Sequence, residues 1–201
     1  MPAINKCRLC GNTTIVPYLN LGFTPHSDHF PTSEELQENE TQYPLVVVLC
    51  RHCGLSQLSY TVDPREMYQK DYLYESSITE TGMGHYFDFA ASVAKKMKLG
   101  KKDLVVDVGS NVGILLEGFK RAGVKVLGVD PAQNIARIAN KRGIRTIADF
   151  FVPRVARLIT KKFGQAKVIV GTNVFAHIFD HAEFVKAVKI LLKKDGVFIF
   201  E

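Results

Sequence analysis

No run of about 18 consecutive apolar residues occurs in this 201-residue chain, so its sequence contains no membrane-spanning helix. The opening residues, MPAINKCRLC, lack the continuous apolar stretch of a secretory leader. Internal repeats and low-complexity tracts are absent, which sets aside solenoids and disordered linkers. The excess of cations is only +6, in clusters at Lys95, Lys96, Lys98, Lys101 and Lys102, at Lys161 and Lys162, and at Lys193 and Lys194. Each cluster sits near the end of a predicted helix, where cations complement the helix dipole and solvate the surface. Aromatic residues are not interleaved with these lysines, so the charge does not describe a nucleic-acid surface. With 46% hydrophobic residues, the chain can build a real core, enough for one ordinary domain and a small one.

Cysteine is scarce too, but its four copies are placed with order: Cys7-Arg-Leu-Cys10 and Cys50-Arg-His-Cys53, with 39 residues between the pairs. Two C-x2-C pairs can present four thiolates to a tetrahedral ion, which suits structural zinc. Gly11 and Gly54 follow the pairs, where the backbone must turn back over a metal. Unrelated buried thiols or two disulfides are the competing readings. A full four-sulfur cage leaves no open position, so this zinc is expected to be structural. Thiols spaced for metal point to a reducing compartment, and the cytoplasm is the natural one.

Residues 1–62 read as a loop-rich zinc-binding module with short strands. Tyr43–Cys50 and Leu55–Val62 form a predicted hairpin whose turn is the second cysteine pair. Pro31 to Gln42 is polar and reads as an exposed loop or short helix. Residues 63–100 form a connector. It opens on a short helix capped by Asp63 with Pro64 at its first position, and ends in a helix from about Glu80 to Lys98.

From 101 to 201 the pattern alternates. Strands are predicted at Leu104–Val108, Lys125–Val129, Arg145–Ile147, Val168–Gly171 and Val197–Glu201, with helices at 113–122, 132–142, 152–162 and 180–193. Val- and Ile-rich strands separated by helices argue an α/β fold, a doubly wound parallel sheet with right-handed crossovers. Because Phe198-Ile-Phe-Glu201 stops inside the fifth strand, we expect the sheet to be truncated there and the chain to be the amino-terminal part of a longer protein.

Val105-Val-Asp-Val-Gly-Ser-Asn-Val-Gly113 is a strand, a glycine loop and a helix start. Gly109 lets the backbone approach a ligand, Gly113 lets the helix pack against the strand, and Ser110 and Asn111, in the loop between them, are expected to bind the same ligand. Asp107 stands at the carboxyl end of the strand, and Asp130 ends the next strand 23 residues later, where an acid accepts hydrogen bonds from ribose hydroxyls. A dinucleotide loop would read G-x-G-x-x-G; this one does not, and an acid beside it would repel a pyrophosphate. It would welcome a ligand with a positive amino group, such as S-adenosylmethionine. A purely structural turn is the bland alternative. Asn173 lies at the same edge and could bond the ligand. His177 reads either as a general base or as a structural residue at the pocket floor. Asp149 reads either as a partner for an adenine amino group or as a helix cap.

The ordered set of features resembles one family. The first C-x2-C, Leu21-Gly-Phe-Thr-Pro25, Tyr43-Pro-Leu, the second C-x2-C-Gly-Leu ending in Gln57-Leu58, Tyr72-Leu-Tyr-Glu-Ser-Ser77 and the Asp-x-Gly-Ser-Asn-x-Gly loop are similar to those of zinc-binding class I methyltransferases that C-methylate nucleotide-linked deoxysugars. The resemblance runs through essentially the whole chain. It implies a Rossmann-like class I methyltransferase domain, a structural Zn2+ on Cys7, Cys10, Cys50 and Cys53, and a protein about twice this length. It also implies a nucleotide-linked 4-ketosugar as substrate, deprotonated to an enolate that attacks the cofactor methyl. The family's Tyr-x-Glu-His catalytic segment would follow residue 201. Tyr74 is the candidate active-site residue carried over by position, with Tyr72 a rival and aromatic packing the alternative for both. Ser76 and Ser77 either cap the next helix or touch substrate. We expect a monomer that binds small molecules and neither nucleic acid nor membrane. The rival functions are a non-catalytic module retaining zinc and cofactor, a methyltransferase for a different small acceptor, and a zinc-ribbon nucleic-acid binder.

Overall fold

The computed structural model describes residues 3–27, 30–69, 72–77 and 79–201. Asp71, just before the tyrosine segment, lies outside the described residues. The chain divides into two compact units, Met1–Met67 and Tyr68–Glu201.

The first unit is a three-stranded antiparallel sheet in the order β1-β2-β3, formed by β1 (Ile15–Thr24), β2 (Tyr43–Cys50) and β3 (Ser56–Leu58). As the sequence suggested, β2 and β3 flank the second cysteine pair, pairing Val47 with Leu58 and Leu49 with Ser56. The ten-residue β1 was not foreseen. It contains Pro17, Asn20 and Gly22, residues that ordinarily interrupt a strand, and it tolerates them as an edge strand with two irregularities in its register. The polar stretch before β2 holds only a 3-10 turn at Glu35–Gln37, exposed throughout. Helix α1 (Pro64–Tyr68) begins as expected: the Asp63 carboxylate accepts the Arg65 amide at 2.9 Å.

In the second unit five parallel strands stand in the order β6-β5-β4-β7-β8: β4 (Leu104–Val108), β5 (Lys125–Asp130), β6 (Thr146–Ala148), β7 (Ala166–Gly171) and β8 (Leu192–Phe200). The helices are α2 (Glu80–Lys96), α3 (Ile114–Arg121), α4 (Gln133–Lys141), α5 (Pro153–Phe163) and α6 (His181–Leu191). Strand alternation decides which face each residue joins. Leu104, Val106 and Val108 pack with α5 and α6, while Val105 packs with Ala90 and Val93 of α2 and with Leu116 and Phe119 of α3. Burying a side chain such as Phe119 in full contributes roughly 1.5–3 kcal/mol.

Two details differ from the sequence expectation. Thr79, and not Ser76 or Ser77, caps α2: its hydroxyl accepts the Gly82 amide at 3.1 Å. Strand β8 starts five residues early, pairing Leu192 with Ala166 before a bulge; Lys167 holds the bulge by donating to the Asp195 carbonyl and carboxylate.

The strand order reverses direction at β4. Chain segments leave β4 for β5 on one side and return to β7 on the other, so the loops after β4 and β7 diverge. A crevice for ligand forms at such a switch point, at the carboxyl ends of the strands.

Candidate functional site

In the first unit the two cysteine pairs converge. The four sulfur atoms lie within 4.8 Å of one another, with Cys7 Sγ 3.7 Å from Cys53 Sγ and Cys10 Sγ 3.6 Å from Cys50 Sγ. A tetrahedron of zinc–sulfur bonds about 2.3 Å long has edges of about 3.8 Å, so this cage fits zinc. The two pairs have the same backbone. Gly11 N donates to Cys7 O and Gly54 N to Cys50 O, each at 2.9 Å, and both glycines take left-handed φ values of 73° and 76°. All four thiols are unpaired by disulfides, which removes that competing reading. Burial pushes the Cys7 thiol up, but hydrogen bonds from the backbone at Cys10, from Gln57 and from the backbone at Leu9 hold it down at about 6, as a ligand thiolate requires.

Gln57 supports the cage from behind. It is buried, its Nε2 donates to Cys7 Sγ at 3.3 Å, and its Oε1 accepts from Arg8 N at 3.1 Å and Arg8 Nε at 3.3 Å. A residue on β3 thereby fixes the first cysteine pair, fifty residues away. Groups that orient metal ligands in this way carry about 10–100-fold in affinity. Gln57→Leu is therefore expected to lower zinc affinity by about that factor in a chelator competition, with the fold of the second unit unchanged.

In the second unit the loop after β4 is built by close contacts. Both glycines are obligatory: a Cβ on Gly109 would lie 2.4 Å from Val174, and one on Gly113 would lie 2.8 Å from Ile144. The partner of Gly113 is thus the segment entering β6 and not the strand before it. Ser110 is buried, and its hydroxyl packs over Gly128 of β5, where any Cβ would strike it. Asn111, at φ 50°, gives its amide to Asp130 Oδ2 at 2.8 Å and turns its carboxamide toward the tyrosine segment.

Two buried carboxylates meet at this edge. Asp107 has the strand parity of Val105, and its Oδ1 is buried with no hydrogen-bond partner among the described residues. Asp130 accepts Asn111 N on one oxygen and Ala132 N, at 2.9 Å, on the other. Burial raises the pKa of Asp107 well above the usual carboxylate range, and the neighbouring Asp130 raises it further. Burial also raises Asp130, partly offset by its two amide donors. A raised pKa means that the folded state holds the proton more tightly than the unfolded chain. That stability is fully present below about pH 4 and is lost as pH climbs through the folded pKa. Without ligand, Asp107→Asn should therefore melt above the parent at pH 8, on the order of a few degrees, with the gap closing toward pH 4. Thermal melts across that range test it.

The remaining candidates divide. Asp149 neither caps α5 nor stands alone: its carboxylate accepts the Phe150 amide and pairs with Arg154. Asn173, at φ 56°, is exposed just past β7, and His177 is exposed in a 3-10 turn spanning Phe175–His177. Tyr74 lines a cavity of about 470 Å³ with Glu75, Ser76, His85 and Tyr86. Tyr86 was missed from the sequence, where it reads as a core aromatic of α2. Its phenol is shifted upward by burial and by nearby Tyr74 and Asp107, and it also meets Thr172 beyond β7. Tyr86 also packs in the apolar layer that holds Val105, on the strand face of Asp107.

A family model described as "Methyltransferase domain" matches residues 83–201. The chain belongs to the methyltransferase-domain family. A second model, "Putative zinc binding domain", matches residues 7–68, which contain all four cysteines. The chain is 36% identical over 198 residues to C-methyltransferase NovU of Streptomyces niveus, covering 98% of this chain and 47% of that protein. It is 34% identical over 105 residues to the ubiquinone biosynthesis O-methyltransferase of Acinetobacter baylyi, covering 50% of this chain and 43% of that one. The chain thus spans about half the length of these curated relatives. Among solved structures, an S-adenosylmethionine-dependent methyltransferase from Clostridium acetobutylicum aligns at a TM-score of 0.47 with 22% identity, covering 59% of this chain and 49% of that one. The two family models and the similarity to NovU agree with the family resemblance carried by the motifs, and this methyltransferase domain has its glycine loop and both acids at the sheet's switch point. Among the described residues, no helix is long and apolar enough to cross a membrane.

Proposed function

We propose that the protein is an S-adenosylmethionine-dependent C-methyltransferase whose acceptor is a nucleotide-linked 4-keto-deoxysugar. This chain contributes the structural zinc site and the cofactor site. One observation carries the cofactor reading: the buried, unpartnered Asp107 oxygen beside a glycine loop at the switch point. A pyrophosphate there would face two carboxylates. A cofactor with a cationic amino acid head and a ribose suits them, the head toward Asp107 and the ribose hydroxyls toward Asp130, whose oxygens each keep a lone pair beyond the one given to a backbone amide. Gly109, Gly113 and the backbone at Ser110 shape the approach, while Asn173 borders it from β7. Asp149 can reach an adenine amino group only by sharing its carboxylate with Arg154.

S-adenosylmethionine supplies a methyl on a sulfonium, a good leaving group. The protein must therefore present an acceptor carbanion in line with it and exclude water. Tyr74 and His177 are the residues of this chain that we assign to the acceptor side. C-methylation is favoured over O-methylation because similarity to NovU runs through both units, whereas the ubiquinone O-methyltransferase matches only 105 residues. Zinc on thiolate ligands suits a reducing, cytoplasmic setting.

Incubation with methyl-labelled cofactor and a panel of nucleotide-linked 4-ketosugars tests the acceptor. Label on a sugar carbon is expected. Label on none of them, with transfer to an unrelated acceptor, would overturn the sugar assignment and leave the cofactor assignment standing.

A further inference from the structure

We propose that Asn111 is a positioning residue: its carboxamide clips the Tyr74 segment to the cofactor loop, so that filling the loop and placing the tyrosine are one event. The inference rests on the cofactor reading above and assigns Asn111 a task distinct from contacting the cofactor.

Both ends of the Asn111 carboxamide are engaged. Its Nδ2 donates to the Tyr74 carbonyl at 2.9 Å, and its Oδ1 accepts the Ser76 amide at 2.9 Å and the Val112 amide at 2.8 Å. The carbonyl of one residue and the amide two positions on are the pair that a neighbouring parallel strand would use. The side chain therefore offers, in one residue, both bonds that a strand would give to a segment outside any sheet. A second asparagine extends the clip: Asn134, on α4, donates to the Tyr72 carbonyl at 2.7 Å. All these tethers read backbone. The Tyr74 side chain is left to the cavity, where it is 53% exposed, while Tyr72 packs beside Val112 and Ile135.

The clip is wired to the ribose acid. Asp130 holds the Asn111 amide on one oxygen and the Ala132 amide, two residues before Asn134, on the other. One carboxylate thus sets both the loop that carries Asn111 and the entry to α4, which carries Asn134. Asn111 sits at φ 50°, a left-handed conformation that asparagine tolerates better than most residues, which aims its side chain outward at the segment. A ligand that hydrogen-bonds Asp130 stiffens the base of the clip, and the Tyr74 segment becomes ordered with it. Cofactor then precedes acceptor in the binding order.

Amide hydrogen exchange of residues 72–77 in the zinc-loaded chain, with and without S-adenosylhomocysteine, tests the proposal. In the parent, the product is expected to slow exchange at Ser76 by about tenfold, the worth of one stabilised hydrogen bond. Asn111→Gly keeps the left-handed backbone and removes the carboxamide. It should still bind S-adenosylhomocysteine, exchange Ser76 about tenfold faster than the parent without ligand, and lose the ligand-dependent slowing, with β4 and β5 amides unchanged. Asn111→Asp, which keeps the acceptor and loses the donor, should fall between the two and serves if the glycine variant does not fold. Equal Ser76 exchange in parent and variants, or equal slowing by ligand, would overturn the clip. Failure of the parent to bind S-adenosylhomocysteine would instead overturn the cofactor reading, and the ligand-free comparison would still decide whether the tether exists.

Discussion

Replacing Cys50 by serine is expected to release zinc and unfold Met1–Met67 while leaving the parallel sheet intact. The reason is the shortage of core in the first unit. Among its described residues only Cys7, Val48 and Cys50 are buried apolar side chains, and two of these are ligands. A module with so little apolar burial depends on metal, whose apparent contribution in small zinc domains is about 10–16 kcal/mol. Cys50 ends β2 opposite Ile15 of β1, and its carbonyl accepts from Gly54; serine keeps these backbone contacts, so what the substitution removes is the ligand sulfur. Serine offers a neutral hydroxyl where a thiolate is required. The second unit has two apolar layers of its own and should keep its melting transition. Zinc content by elemental analysis, read beside exchange protection of β2, decides the matter. A variant that retains one zinc per chain with β2 protected would show that the four-sulfur cage is not what holds the module.

Asp130→Ala is expected to weaken S-adenosylmethionine binding by about 1–3 kcal/mol, the loss that follows removal of charged hydrogen bonds. Two effects add. On the proposed pose the ribose loses its acceptor, and the amides of Asn111 and Ala132 lose theirs, so the loop after β4 loses the support that shapes it. Asp130→Asn keeps one carbonyl acceptor and should lose less. Calorimetric titration of both variants, each checked by thermal melting for a folded sheet, separates binding from stability. Unchanged affinity in a folded Asp130→Ala protein would place the ribose elsewhere.

The sheet and the cage were legible in the sequence for simple physical reasons. Strands buried on both faces must be Val- and Ile-rich, and a four-thiolate cage needs paired cysteines at fixed spacing. Strand β1 was illegible because Pro17, Asn20 and Gly22 hide an edge strand that its partner β2, not its own composition, maintains. Loop spacing located Ser110 and Asn111 but could not say where they point. Ser110 turns onto β5 because Gly128 leaves room, and Asn111 turns to a segment 35 residues earlier. Gln57 and Asn134 were passed over for the same reason. Each reaches a sulfur or a carbonyl at least fifty residues away, and neither periodicity nor spacing records such a contact. Tyr86 sits in a helix where an aromatic residue reads as core, and half of it is.

The central claim, that the carboxyl edge of this sheet binds S-adenosylmethionine, is tested most directly by calorimetric titration of the zinc-loaded chain with S-adenosylhomocysteine. Saturable binding at one site per chain, weakened in Asp130→Ala, is the predicted result. A folded, zinc-loaded chain that takes up neither S-adenosylhomocysteine nor S-adenosylmethionine would contradict it.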